Sequence, residues 1–315
     1  MSGLRGVAVR LSDGKEVALG GGVSLEVGES LDSPAQTMEG VFPITQVPGK
    51  LGAIRVYSGG SLLFQGNTDR QQVAYSGAGL ALSLEARSKG AFLLDNEALP
   101  SMLTNVRLTT IFNRFIAPYG FLCYNPNPSF CLVSYTIRKD MSEWEVLDGF
   151  TRRAWGITPY VRGDQVIIDR PRSSAILTFS NTGDGVPFSK LEHTYTPYKM
   201  VSQVVIRDAL GGYSAQVTNS SAAYHGVRRK RYVIPTNEFV DEPGLDANVR
   251  IRRSMLDSEG VSVTCPGLVA AFAGQQARVV DDTLQLYNLL VGAVTWSQGP
   301  QGVVTTFKLV SSVYY

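Results

Sequence analysis

The sequence predicts a mainly β chain with an inserted α+β region. Three observations lead there. Short alternating apolar and polar runs, bounded by Gly, Asp, Ser and Pro, fill residues 7 to 87 and return after about residue 173. Two amphipathic helical patterns lie between those β blocks. No self-similar period of about 20 to 50 residues marks a solenoid or propeller.

The first block opens with Val7 to Leu11, closed by the turn signal Ser12-Asp13-Gly14-Lys15. Val23-Ser24-Leu25-Glu26-Val27 alternates cleanly, with its three apolar residues on one face. Thr37 to Pro43, Ala53 to Tyr57, Leu62 to Gln65, Arg70 to Tyr75 and Leu80 to Arg87 follow as strands. Ser58-Gly59-Gly60-Ser61 is a hairpin loop between two of them. Such a series of short strands reads as a barrel or sandwich.

The middle block begins with a helical pattern over Thr104 to Tyr119. Val106, Thr109, Ile111, Phe112, Phe115 and Ile116 lie mostly on one side, Thr104 or Asn105 is the expected cap, and Gly120 is the stop. A second helix starts at Ser142, a good N-cap, with Glu143 and Glu145 at the positive end of the dipole. Trp144, Leu147, Phe150, Thr151 and Ala154 form its apolar face, and Gly156 ends it. Thr158 to Val161 and Gln165 to Asp169 then read as a hairpin across Arg162-Gly163-Asp164.

The last block returns to strands at Leu177 to Phe179, Leu191 to Tyr195, Lys199 to Arg207, Tyr213 to Thr218 and Arg231 to Ile234. Further strands are expected at Gly260 to Thr264, Ala277 to Val280, Leu289 to Trp296 and Val303 to Val310, the last two as a hairpin. One helix is expected at Leu245 to Ser258, with Asp246 in its first turn. The domain expectation is therefore 1–87 as a first β domain, with a segment near 173–200 as a candidate to complete it. An α+β domain at 88–172 follows, then a second β domain at 173–315 that carries the helix near 245–258.

The chain has 315 residues, ample for a sizeable core. Charged residues make up 18%, below the usual share of about 25%. A low surface charge fits a protein partly covered by partners. The net charge of +2 gives no strong global attraction to nucleic acid or membrane. The basic residues are 21 Arg and 8 Lys. Arg suits interfacial ion pairs because its planar fork binds carboxylates bidentately. A GC-rich coding bias explains the same numbers, and both readings stay open. No run of about 18 apolar residues spans a bilayer, so no membrane insertion is expected. The first residues carry no charged-then-apolar leader pattern, and the expectation is synthesis in a cytosol. Cys123, Cys131 and Cys265 are too few for a disulfide scaffold. Cys123 and Cys131 flank Asn125-Pro126-Asn127-Pro128 and are expected as reduced thiols.

Searching for chemistry yields little. His193 falls in a β run and His225 in a polar loop, neither with a partner at metal-ligand spacing. No Gly-x-Ser-x-Gly elbow occurs. Asp281-Asp282 and the Asp95/Glu97 pair are the carboxylates to weigh for a glycosidase, and turn or capping chemistry explains both. Ser76-Gly77-Ala78-Gly79 lacks the Lys-Ser/Thr ending of a phosphate loop. No catalytic residue, metal site or cofactor is expected. Asn219-Ser220-Ser221 fits a glycosylation sequon, which has no meaning without secretion. The dense basic runs are Arg228, Arg229, Lys230 and Arg231, then Arg250, Arg252 and Arg253. Arg228, Arg229, Lys230, Arg231, Arg252 and Arg253 are the candidate partner-binding residues, with an acidic protein patch weighed against nucleic acid.

Residues 84 to 99 run Leu-Glu-Ala-Arg-Ser-Lys-Gly-Ala-Phe-Leu-Leu-Asp-Asn-Glu-Ala-Leu. A strand ending in Ala-Arg-Ser and followed by Leu-Leu-Asp resembles the first domain boundary of phage tail hub proteins. These are the baseplate hubs of contractile-tailed, Mu-like phages and tailocins. Residues 25 to 42 are similar to that family's opening β segment, and Ile111 to Phe121 to its helix ending in a Tyr-Gly turn. Trp144 to Arg170 resembles its second helix and hairpin, and the pair around Val294-Thr295-Trp296 and Thr306-Phe307-Lys308-Leu309 its C-terminal hairpin. The order and spacing of the segments carry the resemblance.

The resemblance implies two tube-like β-barrel or sandwich domains per subunit and a ring-forming homotrimer. It implies a structural hub in the virion baseplate that joins the hexameric tail tube to a trimeric spike around a central channel. The implied partners are the tail tube protein, the spike protein, other baseplate proteins and the tape-measure protein, with DNA only as passing cargo. It implies no enzymatic turnover. Two other readings of the residues stand beside it: a β-rich receptor- or glycan-binding tail component, and a tail-associated peptidoglycan hydrolase. The first would need rings such as Tyr57, Tyr75, Tyr160, Tyr195, Tyr198 and Tyr213 in an exposed cleft.

Overall fold

The computed structural model describes residues 3–20, 22–77, 79–125, 130–171, 175–208, 210–235 and 243–315. Most of the expected loop at 125–128, Ala78 of the glycine-rich turn and the boundary expected at 172–173 lie outside them. Seven strands come first: β1 (Leu4–Arg10), β2 (Glu16–Gly20), β3 (Ser24–Ser30), β4 (Thr37–Ile44), β5 (Leu51–Ser58), β6 (Ser61–Ser76) and β7 (Gly79–Arg87). The middle block holds α1 (Ala91–Asp95), β8 (Ser101–Arg107), α2 (Leu108–Phe115), β9 (Leu122–Tyr124), β10 (Cys131–Ile137), α3 (Glu143–Trp155), β11 (Tyr160–Arg162) and β12 (Gln165–Ile167). Then come β13 (Leu177–Phe179), β14 (Lys190–Tyr195), β15 (Gln203–Ile206), β16 (Ala215–Thr218), α4 (Ser220–Tyr224), β17 (Lys230–Val233) and α5 (Pro243–Ser258). The chain finishes with β18 (Glu259–Pro266), β19 (Gln276–Val280), β20 (Gln285–Gly299) and β21 (Gly302–Ser311).

The two β blocks merge into one sheet. Its strand order is β14-β18-β21-β20-β3-β4-β7-β6-β5-β1-β2, with β19 beside β20 and β13 beside β19. The join is β3 against β20, antiparallel, from Ser30 opposite Ala293 to Leu25 opposite Gln298. Alternation then sends one side chain in two to a common core. Leu25, Val27, Phe42, Ile54, Phe64 and Leu82 from the first block pack in one cluster with Phe179, Val263, Val294, Trp296 and Phe307 from the last. The segment near 173–200 contributes to the second block: β13 pairs with β19 and β14 with β18.

Strand β20 serves two neighbours on the same side. Its first half pairs with β19 and its second half with β3. The change falls at Gly292, where the register against β21 also slips between Val291 and Ala293. The Gly292 carbonyl accepts the Leu31 amide at 2.9 Å, and Val291 exchanges bonds with Gly274 and Gln275. A side chain at 292 would meet the Val310 methyls at 3.1 and 3.2 Å, so glycine permits this bulge.

The middle block is a separate α+β unit. β8 and β10 form a two-stranded ladder, and β11-β12-β9 a three-stranded sheet. Ile111, Phe115, Tyr135, Leu147, Phe150 and Val166 make its core. Helix α3 begins as expected: Ser142 Oγ accepts the Glu145 amide at 3.2 Å, and Glu145 Oε2 accepts the Ser142 amide at 2.7 Å. This is a complete capping box. Gly156 closes the helix in the left-handed region at φ 65°. The helix expected from Thr104 starts later, at Leu108, because 104–107 belong to β8. Arg107, not Thr104 or Asn105, stands at its N-cap, with no side-chain cap bond. β10, whose pairing holds β8 extended, lies in the following segment, beyond the reach of local periodicity.

Arg87 bolts this unit to the sheet. Its guanidinium grips Asp69 at 2.7 and 3.1 Å and Asp95 at 3.0 and 2.7 Å, bidentate to both. Among the residues expected as second-block strands, 197–258 stand apart as a third unit. β16-β15-β17 form its sheet, and Ala247 and Ile251 of α5 pack on Val204 and Ile206. The expected strand Lys199 to Arg207 is shortened by a 3-10 turn at Pro197–Lys199. Asn219 of the sequon caps α4 through the Ala222 amide at 3.2 Å. The unit's two ends leave the sheet side by side, since Tyr195 lies opposite Glu259.

Three outcomes follow from this packing. Gly292→Ala is expected to lower stability by about 1–3 kcal/mol through overpacking against Val310, read from the urea midpoint. Ser142→Ala is expected to cost about 1 kcal/mol through loss of the cap, by the same assay. Arg87 holds the Asp95 carboxyl below its ordinary value. That contribution to stability is present above the ordinary carboxylate pKa and is lost as pH falls through the lowered one. Arg87→Gln should therefore destabilise the chain at neutral pH and have less effect below the carboxylate range, measured by melts across acidic pH.

Candidate assembly surfaces

Strand and helix periodicity sort the candidate basic residues. On β17, side chains alternate between faces. Val233 packs toward α5 in the third unit's core, so Arg231 and Arg229 lie on that side too. Lys230 and Tyr232 take the other face, where Tyr232 meets Tyr213 edge-on at 5.4 Å. On α5, Asp246, Arg250, Arg253 and Asp257 recur at spacings of four and three, which is one helical stripe. Arg252 lies off that stripe.

The result is a groove of about 810 Å³ between β17, the Pro197–Lys199 turn and α5. Arg229, Arg231 and Arg253, three of the six candidates, line it together. Arg228 and Lys230 line a shallow depression beside His225, which Arg229 shares. Arg252 turns to the middle unit, and its Nη2 donates to the Gly156 carbonyl at 2.8 Å, at the C-terminal end of α3. Burial, with Arg170 and Arg152 nearby, pushes the Arg252 pKa down. Arg152, Tyr198, Lys199 and Arg250 complete the groove. Sequence reasoning missed Arg152 and Lys199, which come from other elements, and weighed Tyr198 only as a ring for a glycan cleft.

Within the groove Arg250 binds Asp246 at 2.9 Å and Arg253 binds Asp257 at 3.3 Å. Arg253 also reaches Asp32 at 3.3 Å, and Arg152 holds Asp148 at 2.9 Å. Arg229 places its guanidinium carbon 6.0 Å from the Tyr198 ring, a cation–π contact. The Arg229 carbonyl accepts from the Ser202 and Gln203 amides at 2.9 and 3.2 Å, which fixes its backbone. Tyr198 is 65% exposed.

Sheet edges form the second kind of surface. β2 and β14 end the long strand path, so among the described residues each leaves one side of its backbone without a strand neighbour. β14 is exposed at most positions, and Lys190 and Glu192 pair along it at 3.0 Å. Charges of this sort protect an edge from indiscriminate pairing.

Several of the other residues weighed for chemistry have structural partners. His193 bonds Glu259 across the β14–β18 ladder at 2.8 Å. The His225 ring lies near Tyr195 and Tyr224. Asp281 accepts from Thr182 at 3.2 Å, and Glu97 accepts the Asp140 amide at 2.9 Å. Cys123, Cys131 and Cys265 are free thiols. Of the tyrosines considered for a cleft, Tyr160 is buried, while Tyr75, Tyr195, Tyr198 and Tyr213 are exposed. Among the described residues no group of three or more His, Cys, Asp or Glu could hold a metal ion. Among them, too, no helix is long and apolar enough to cross a membrane.

No family model matches the chain, and no curated protein does. Solved structures do. The 43 kDa tail protein of prophage MuSo2 from Shewanella oneidensis superposes with a TM-score of 0.82 at 17% identity, covering 100% of this chain and 99% of that one. A tail protein from Neisseria meningitidis MC58 gives 0.77 at 16% identity, covering 99% and 98%. A component of the Escherichia coli type VI secretion system, described as similar to the T4 tail proteins gp27 and gp5, gives 0.59 at 11% identity, covering 91% and 73%. Over its whole length, this chain has the fold of prophage tail proteins.

Proposed function

We propose that this chain is a non-enzymatic structural hub of a contractile tail or tailocin. It joins the hexameric tail tube to a trimeric spike in the virion baseplate. The observation that carries this reading is the end-to-end match to prophage tail proteins, which covers 98–100% of each chain compared. A fold shared along its full length, two insertions included, is a stronger constraint than a shared barrel.

The sheet supplies the physical means. Two β lobes lie on either side of the β3–β20 join, so three copies offer six lobes to a sixfold tube. The free edges β2 and β14 lie at opposite ends of one strand path. Contacts between unlike surfaces of identical chains build either rings or filaments, and a closing rotation gives the ring. The homotrimer, the tail tube protein, the spike protein and other baseplate proteins, with the tape-measure protein, are the proposed partners. DNA crosses the channel as cargo.

Native mass spectrometry and averaged electron images of the purified chain, alone and co-expressed with its spike, test this. The expected particle is a ring of three copies with a central hole, in at least the co-expressed sample. A monomer in both samples that binds glycans, or a lytic band on cell-wall zymograms that an Asp281→Asn change removes, would overturn it.

A further inference from the structure

Among the described residues, the groove beside α5 holds more positive charge than carboxylates neutralise. Six cationic side chains and two carboxylates line it. Asp246 and Asp257 are already bound to Arg250 and Arg253, and Arg152 is bound to Asp148 outside the groove. Among the described residues, Lys199, Arg229 and Arg231 form no ion pair, yet all three face the same space. Arg229 is held over the Tyr198 ring and is anchored through its backbone. Part of the entropy of ordering that guanidinium is therefore already met in the free protein.

We propose that this groove receives an acidic segment of another tail protein. Two or three carboxylates pair with Arg229, Arg231 and Lys199, and an adjacent apolar or aromatic side chain lies on Tyr198. Guanidinium forks match carboxylates bidentately, and Arg with Tyr is the composition of interface anchors. Nucleic acid fits less well. A phosphate backbone needs an unbroken positive track, because its charges repeat every few ångströms. Here Asp246 and Asp257 stand along the α5 wall, and the cations beside them are neutralised. Discrete carboxylates on a peptide can avoid those two positions. The identity of the partner as a tail protein rests on the hub reading; the preference of the groove for acidic peptide does not.

The test is fluorescence anisotropy of the purified full-length chain with a labelled hexaglutamate peptide carrying one tyrosine. A labelled single-stranded oligonucleotide of equal charge is measured at the same ionic strength. The peptide is expected to bind saturably and more tightly than the oligonucleotide. Arg229→Gln with Arg231→Gln should weaken peptide binding by about 100-fold, two charge-assisted contacts at about tenfold each. Lys15→Glu with Lys50→Glu changes charge at exposed positions that line no part of the groove and should leave binding within about twofold, as screened distant charges do. Tyr198→Ala should weaken it further without changing the melting curve. No saturable binding, an equal loss in the Lys15/Lys50 control, or tighter oligonucleotide binding lost in the same groove variants would overturn the proposal. A ring of three copies without peptide binding would reject the groove alone, and peptide binding by a chain that stays monomeric even when co-expressed with its spike would reject the hub alone.

Discussion

The antiparallel ladder between β3 and β20 is the constraint on which the rest of this molecule depends. It pairs residues from the two ends of the chain and turns two β blocks into one sheet with one core. Glu29 on β3 accepts the Ala273 amide at 2.9 Å, so the loop before β19 is tied to the same seam. Burial raises the Glu29 pKa, and that amide bond with Gln36 opposes the rise. Trp296 lies on the seam, buried, with its indole nitrogen donating to the Val269 carbonyl at 2.9 Å. A relative rotation of the lobes would break the ladder and open the core together.

Both inserted units are positioned by that frame. The third unit enters and leaves at adjacent ends of β14 and β18, and Thr196 and Ser258 close its neck with a 2.7 Å bond. The middle unit is held at Arg87 and again where Arg252 meets the end of α3. The α5 groove is thus carried on a rigid support although its residues come from four separate elements. Rigid presentation lowers the cost of ordering a partner. Of the residues weighed for catalysis, His193 pairs with Glu259 across a strand ladder, His225 stands edge-on to Tyr224 and Asp281 accepts from Thr182.

Much of this was legible locally. Val23 to Val27 alternates as β3 does, Ser142 and Glu145 announce the start of α3, and the final hairpin stands where its turn residues place it. These features are set by neighbours in sequence. Features set by distant partners were not legible. β8 resembles a helix start until β10 is paired with it. The merging of two β blocks depends on which edge meets which, and alternation is the same for either choice. The third unit was hidden because its strands are short and its core is small. At the candidate site, the composition of the basic run was visible but its division was not. Strand alternation sends Arg229 and Arg231 to one face and Lys230 to the other, and that follows only once β17 is known to be a strand against α5. Lys199 carries no local signal at all, and Tyr198 was visible only as one exposed ring among several.

The proposed hub role rests on one central claim, that both lobes of each copy meet the tube in equivalent ways. A reconstruction of assembled tail ends by electron cryomicroscopy, computed without imposed symmetry, tests it most directly. The account predicts three copies around a channel, with the lobes on either side of the β3–β20 seam alternating at equal radius under the tube. A map in which only one lobe per copy touches the tube, or in which the copies number other than three, would contradict it.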